Sequence, residues 1–231
     1  MTKFRYIQIP ISPEEDAALD TIKRGAINSA NKKETSSLGM LKHLPTMLWT
    51  LNNITAKAVH YPAVREIRKE QFDLVVFGWF LNDFQLGLAG HFRCPSVLVT
   101  ATPAFKTLRS YVGNPSEFTY QQSPMAGKLQ HMTFLQRFQN WCMILLENFV
   151  ELLLHYFVAV PYYEAHFPAS ENYPPYSEVL KNVSLVLATQ HFSQTGPQLS
   201  FPAMIEVSGM HLKTKPDPLP KVYEDKKRFI L

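Results

Sequence analysis

The chain of 231 residues is 46% hydrophobic and 13% aromatic, enough apolar material for one substantial core and too much for a disordered protein. Its 23 Lys and Arg against 19 Asp and Glu leave a formal charge of +4. The excess gathers near the C-terminal end (Lys213, Lys215, Lys221, Lys226, Lys227, Arg228) rather than along an aromatic-interleaved stripe, which argues against nucleic-acid binding.

Met1 to Ser37 is polar, with Pro10, Pro13, the acidic cluster Glu14, Glu15 and Asp16, and the segment NSANKKETSS. It reads as a poorly ordered or atypical N-terminal segment holding little core. Its opening, MTKFRYIQIPISPEEDAALD, has neither the apolar stretch nor the small-residue cleavage site of a signal peptide. As it stands, the sequence carries no address to the secretory pathway. From Leu38 to about Ala58, Leu41, Leu44, Leu48, Leu51 and Ile54 recur at helical intervals, with Pro45 expected at a start or a kink. Pro62 to Glu70 predicts a short second helix.

Phe72 to Phe77 is a continuous apolar run of the kind buried in a parallel sheet, and Ser96 to Thr100 repeats it after a helix from about Asn82 to Phe92. Strand, helix and strand make one βαβ unit, so the fold class is α/β with a parallel sheet flanked by helices. Lys128 to Phe167 is an almost unbroken helical stretch. Within it Glu147, Glu151 and His155 fall at i, i+4, i+8 as one narrow polar stripe, and the other positions are apolar. That pattern predicts a helix packed deeply on more than one side, with peripheral contact to a membrane surface as the alternative. Two mid-span glutamates argue against a membrane crossing. A helix at Tyr176 to Leu180 and strands at Val183 to Leu187 and Ile205 to Val207 follow. From Pro197 onward, prolines alternating with lysines read as an extended linker, so the domain is set at 38–212 and the linker at 213–231.

Cys94 and Cys142 lack C-x-x-C spacing and have no histidine at ligand intervals, which points to buried free thiols and to neither a disulfide framework nor a metal site. G-x-G-x-x-G, Walker and G-x-S-x-G patterns are absent from the sequence, as is H-E-x-x-H. In an open α/β sheet, ligands sit at the carboxyl ends of the strands, so Gly78-Trp79-Phe80 marks a candidate site by position. Trp79 and Phe80 either line an apolar pocket or pack under the next helix. Asn82 and Asp83 are placed to begin that helix, with an acid or base role for Asp83 secondary. His91 and His155 read as structural histidines; His191, beyond the third strand, has the stronger claim to function. Asn53-Ile54-Thr55 and Asn182-Val183-Ser184 match the glycosylation sequon, and Asn182 abuts a buried strand.

Four segments taken together carry more: FDLVVFGWFLNDFQLGLAGHFRCPSVLVT, VGNPSEFTYQQSP, YYEAHFPASENYPPYSEVLKNVSLVLATQHFS and FPAMIEVSGMHLKTKPDPLP. In this order they resemble the amino-terminal, acceptor-binding half of the UDP-glycosyltransferases, the insect branch above all, over Leu38 to Leu231. The resemblance implies a GT-B architecture, a Rossmann-like first domain that holds a small lipophilic acceptor, and a UDP-sugar as donor. It implies transfer of a glycosyl group to a hydroxylated acceptor and work at the endoplasmic reticulum membrane. Two departures are expected to matter. The family's catalytic histidine follows its first strand, and Met1 to Ser37 supplies neither; the family's acidic partner to that histidine corresponds here to Gly78, which has no side chain. With the donor-binding half also missing from this sequence, no catalytic residue is assigned and the chain is expected to be inactive alone. The resemblance sets Trp79, Phe80, Asn82, Thr102 and Asn114 near the acceptor. The alternative is a lipophile-binding or regulatory module that pairs with an intact glycosyltransferase chain, and a sequence without leader or anchor would place it in the cytoplasm if complete.

Overall fold

The computed structural model describes residues 5–31, 37–102, 104, 106–114, 123, 132–191 and 199–209. Its centre is a four-stranded sheet in the order β1 (Val75–Trp79), β2 (Ser96–Thr100), β3 (Val183–Ala188) and β4 (Met204–Glu206). All three pairings are parallel, as the short apolar runs require. β2 is buried along nearly its whole length, which fits a strand covered on both faces. β1 pairs with β2 alone among the described residues, and it alternates: Phe77 and Trp79 are buried while Phe72, Leu74 and Val76 face outward. The expectation of a buried run from Phe72 to Phe77 is therefore corrected to a half-buried edge strand that begins three residues later.

Helices α1 (Pro13–Asn31), α2 (Ser37–Val59) and α3 (Pro62–Ile67) precede β1. α1 stands within the N-terminal segment that was expected to be poorly ordered or atypical. Its start is a capping box in which Glu15 N donates to Ser12 Oγ at 3.2 Å and Ser12 N donates to Glu15 Oε2 at 2.7 Å. Lys57 of α2 then pairs with Glu15 at 2.8 Å and holds the Glu15 carboxyl below its ordinary range. α2 continues through Pro45. After β1 come a 3₁₀ turn at Asp83–Leu86 and α4 (Gly87–Phe92). α5 (Lys106–Tyr111) follows β2, and α6 (Phe134–Leu154), α7 (Val160–His166) and α8 (Tyr176–Lys181) lead to β3.

One cluster forms the core, with Phe77 and Trp79 from β1, Leu98 from β2 and Val186 from β3 meeting Leu86, Tyr163, Phe167 and Val179 from the turn and helices. Full burial of such side chains contributes roughly 1.5–3 kcal/mol each. At Gly87 a Cβ would lie 2.4 Å from the Phe167 ring, so glycine is what lets α4 meet that ring. Tyr163 donates to Pro174 O at 2.7 Å, and burial pushes its phenol up to about 12.

The long helical stretch behaves differently from expectation. Between α6 and α7 a π-helical segment, His155–Ala159, widens the turn, and Val160 N donates to His155 O. Pro161 explains it: with no N–H and a ring that crowds the carbonyl four residues earlier, proline disfavours regular α-helix there. Deep packing is also overturned. Asn140 is the buried residue of α6, whereas Leu145, Leu146, Phe149, Leu152 and Leu153 are exposed. Cys142, on the same helix, is exposed too, and Cys94 alone of the two thiols is buried.

Candidate functional site at the carboxyl edge of the sheet

Strand register lines up four residues at the carboxyl edge: Trp79 opposite Thr100, Thr100 opposite Ala188, and Ala188 opposite Glu206. Side-chain amides tie the turn that leaves β1. Asn82 Oδ1 accepts from Phe80 N at 2.8 Å, and Gln85 Nε2 donates to Gly78 O at 2.9 Å. Between them Leu81 takes φ 57, the left-handed region, which a β-carbon enters at a cost on the order of 1–3 kcal/mol. The two amide clamps hold that turn in place, and Phe80 and Asn82 stay partly exposed beside it.

The next strand end is bound in the same way. Thr102 N donates to Thr100 Oγ1 at 3.2 Å and the two hydroxyls lie 3.0 Å apart. Gln190, buried just past β3, accepts from Ala104 N at 3.0 Å and donates to Glu206 Oε1 at 2.8 Å. The edge thus carries fixed polar groups at three strand ends, and Gly78, exposed near the end of β1, leaves open space: a Cβ there would meet nothing within 4 Å.

Under this edge, on the opposite face of β1 from Gly78, Trp79 is 2% exposed and its indole donates to Asp83 Oδ1. Of the two roles open to Trp79, the structure gives the packing one. Asp83 also accepts from Tyr111, and burial raises its pKa above the ordinary carboxylate value. Tyr111, in turn, is pushed well up by burial and by Asp83, and Tyr176 is raised for the same reasons. Asn82 and Asp83 begin the turn that follows, as expected, but without a side-chain cap: the Asn82 amide oxygen is spent on Phe80 N and Asp83 meets the Trp79 indole. Because strand side chains alternate faces, a carboxylate beneath Trp79 does not stand in for one at position 78.

Asn114 is buried and structural: its Oδ1 accepts from Phe201 N at 2.7 Å, its Nδ2 donates to Leu199 O at 3.4 Å, and it touches Met204. The segment before β4 is fastened there. His91 meets Arg68 O at 2.9 Å and Tyr173 at 3.3 Å, and the His155 ring packs 5.5 Å from Tyr176, so both are structural as expected. His191 lies just beyond Gln190, partly buried at the edge. Neither sequon amide is idle: Asn53 Oδ1 accepts from Tyr162 and Asn182 Nδ2 donates to Cys94 O, each at 2.9 Å. The described residues hold no group of three or more His, Cys, Asp or Glu arranged to bind a metal. Sequence reading missed Gln85 and Gln190; the signal was a glutamine a few residues past each strand end.

The model of the family described as UDP-glucoronosyl and UDP-glucosyl transferase matches residues 2–228. The chain belongs to the UDP-glycosyltransferase family. The match takes in the N-terminal segment that was set apart by its polarity, and the parallel sheet flanked by helices is the Rossmann-like fold of such a domain. Two glycosyltransferases of Dactylopius coccus are similar to it. UDP-glycosyltransferase UGT4 is 26% identical over 156 residues, 65% of this chain and 30% of that protein. UDP-glucosyltransferase 2 is 29% identical over 165 residues, 69% of this chain and 30% of that protein. The chain thus matches less than a third of the length of these curated relatives. No solved structure matches it significantly.

Proposed function

We propose that this chain forms the acceptor side of a UDP-glycosyltransferase and binds a small lipophilic hydroxylated molecule at the carboxyl edge of β1 and β2. One observation carries the reading. Gly78 leaves open space near the end of β1, and the backbone leaving β1 and β2 is fixed by Asn82, Gln85, Thr100 and Gln190; pre-organised polar groups beside apolar surface are what orient a small ligand. Phe80 supplies the apolar contact, and Asn82 and Thr102 the polar ones; Asn114 acts by holding the wall. The donor is a UDP-sugar, which these residues do not grip, and the setting is the endoplasmic reticulum membrane, as the family resemblance implies.

Gly78 favours a second reading. A strand end without a carboxylate cannot orient or charge-balance a catalytic histidine, so this chain alone binds without turning over, either as a lipophile-binding module or as a regulatory partner of an intact glycosyltransferase. A single pair of assays separates the readings: saturable binding of a lipophilic phenol, and transfer to that phenol from a radiolabelled UDP-sugar. We expect binding, weakened about tenfold by Phe80→Ala, which is roughly 1.4 kcal/mol, and no transfer by the chain alone. Absence of saturable binding, or binding indifferent to Phe80, refutes the acceptor role. Transfer by the chain alone refutes the binding-only reading.

A further inference from the structure

An amphipathic helix ordinarily turns its polar face to water and its apolar face to the core; α6 is arranged the other way round. Its carboxylates point inward. Glu151 Oε1 accepts from Thr107 of α5 at 2.6 Å, Glu147 accepts from Ser123, and Asn148 accepts from Lys106. Asn140 completes the inner side, accepting from Ser123 N at 2.8 Å. The outer side holds two adjacent rows, Phe138, Leu145 and Leu152 in one and Leu146, Leu153 and Phe157 in the other, and all six are exposed. Side by side, these rows are wider than the two-position seam by which one helix grips another.

We infer that the outer face of α6 is a lipid-contact face and that this domain rests on an anionic membrane surface with α6 lying parallel to it. Three observations choose lipid over a second copy of the chain. The face is broad and lacks the e and g charges that specify a helix partner. Aromatic residues gather at its two ends, Phe134, Phe138 and Trp141 at one and Tyr156 and Phe157 at the other, where ring systems settle at the headgroup level. The exposed cation beside it, Arg137, has no outward carboxylate on α6 to oppose it, which complements anionic headgroups, and the chain as a whole is positive. By length and composition the stretch Phe134–Glu171 is also fit to cross a membrane, and none of its most apolar window is buried. The inward bonds of Glu147 and Glu151 to the domain decide for lying along the surface, because a crossing helix would carry those carboxylates into hydrocarbon.

The test is co-flotation of the chain with vesicles of phosphatidylcholine alone and of phosphatidylcholine with phosphatidylserine in equal parts. The wild type is expected to float with the anionic vesicles, and less with the neutral ones. The double variant Leu145→Glu with Phe149→Glu is expected to bind at least about tenfold more weakly, with an unchanged circular dichroism spectrum because both side chains are exposed. A charge-only variant, Arg137→Glu, is expected to lose the preference for phosphatidylserine while keeping the residual apolar binding. Failure of the wild type to float, equal flotation of the Leu145 and Phe149 variant, or vesicle-independent dimerisation abolished by the same substitutions would each overturn the inference. Acceptor binding is measured in a separate titration without vesicles, so either result can fail without the other.

Discussion

At the residue scale, two glycines show how differently the same residue type is used. Gly87 is demanded by packing, since its Cβ would press into the Phe167 ring at 2.4 Å, whereas Gly78 looks onto open space. Gly87→Ala is therefore expected to destabilise the domain by about 1–3 kcal/mol, and Gly78→Ala to leave it unchanged or to stabilise it by up to about 1 kcal/mol; urea denaturation of the two variants checks both. The sequence put Gly78 at the right edge but gave no sign that its neighbour Leu81 adopts a positive φ, because that conformation depends on clamps from Asn82 and Gln85 that only the folded turn brings together. Trp79 was ambiguous for a related reason: pockets and cores have the same composition, and strand parity decided the matter once the strand was seen to run to Trp79.

Asp83 makes a second test at this scale. Burial raises its pKa, so the folded state holds the proton more tightly than the unfolded chain does. The contribution is full below the unfolded carboxyl value and is lost as pH rises through the folded one. Asp83→Asn keeps an acceptor for the Trp79 indole without the charge. The variant is expected to show a flatter stability profile than wild type as pH rises above about 4. A profile as steep as that of the wild type would show that Asp83 does not set this pH dependence.

At the scale of elements, α2 and the residue that follows it are joined to α7 by two side-chain bonds, Tyr162 to Asn53 and His60 Nε2 to His166 Nδ1, each 2.9 Å long. Burial lowers the pKa of both histidines, and for His60 the proximity of His166, Arg68 and Arg65 lowers it further. A depressed histidine favours the neutral form in the folded state, so its contribution is present above the unfolded value of 6.5 and is lost as pH falls through the folded one. Thermal unfolding is therefore expected to shift to lower temperature between about pH 7.5 and about pH 5.5, by less in His166→Gln than in wild type. An equal shift in both would show that the pair does not report the change.

Element boundaries were legible where the local signal was strong and local. Proline and apolar period placed α8, β2 and β3 within a residue, and α3 at its first residue though three residues too long. α1 was missed although Ser12-Pro13-Glu14-Glu15 spells a capping box with proline at the first helical position; polarity of the whole segment masked a four-residue signal. For α6 the period was read correctly and the orientation was not. A narrow polar stripe in an apolar helix is the same sequence whether it faces solvent or faces Thr107 and Ser123, and only the neighbouring elements settle which. Thr133→Ala, which breaks the capping box at the start of α6, is expected to cost about 1 kcal/mol, measured by denaturation with helix content as the signal.

At the scale of the whole molecule, the open edge of the sheet and the exposed face of α6 are joined by α5, whose Lys106 and Thr107 anchor α6 just after the end of β2. Family membership was carried in the sequence by four segments in order. What it did not carry was which of the nominated residues stand at the open rim (Phe80, Asn82 and Thr102) and which hold its supports (Trp79 and Asn114), because that division follows burial. The most direct measurement is hydrogen–deuterium exchange of the chain titrated with a lipophilic phenol. The account predicts slowed exchange confined to Gly78 through Asn82 and Thr100 through Thr102, saturating with the phenol and lost in Phe80→Ala. Protection confined to α6, or none at the carboxyl edge at saturating phenol, would contradict it.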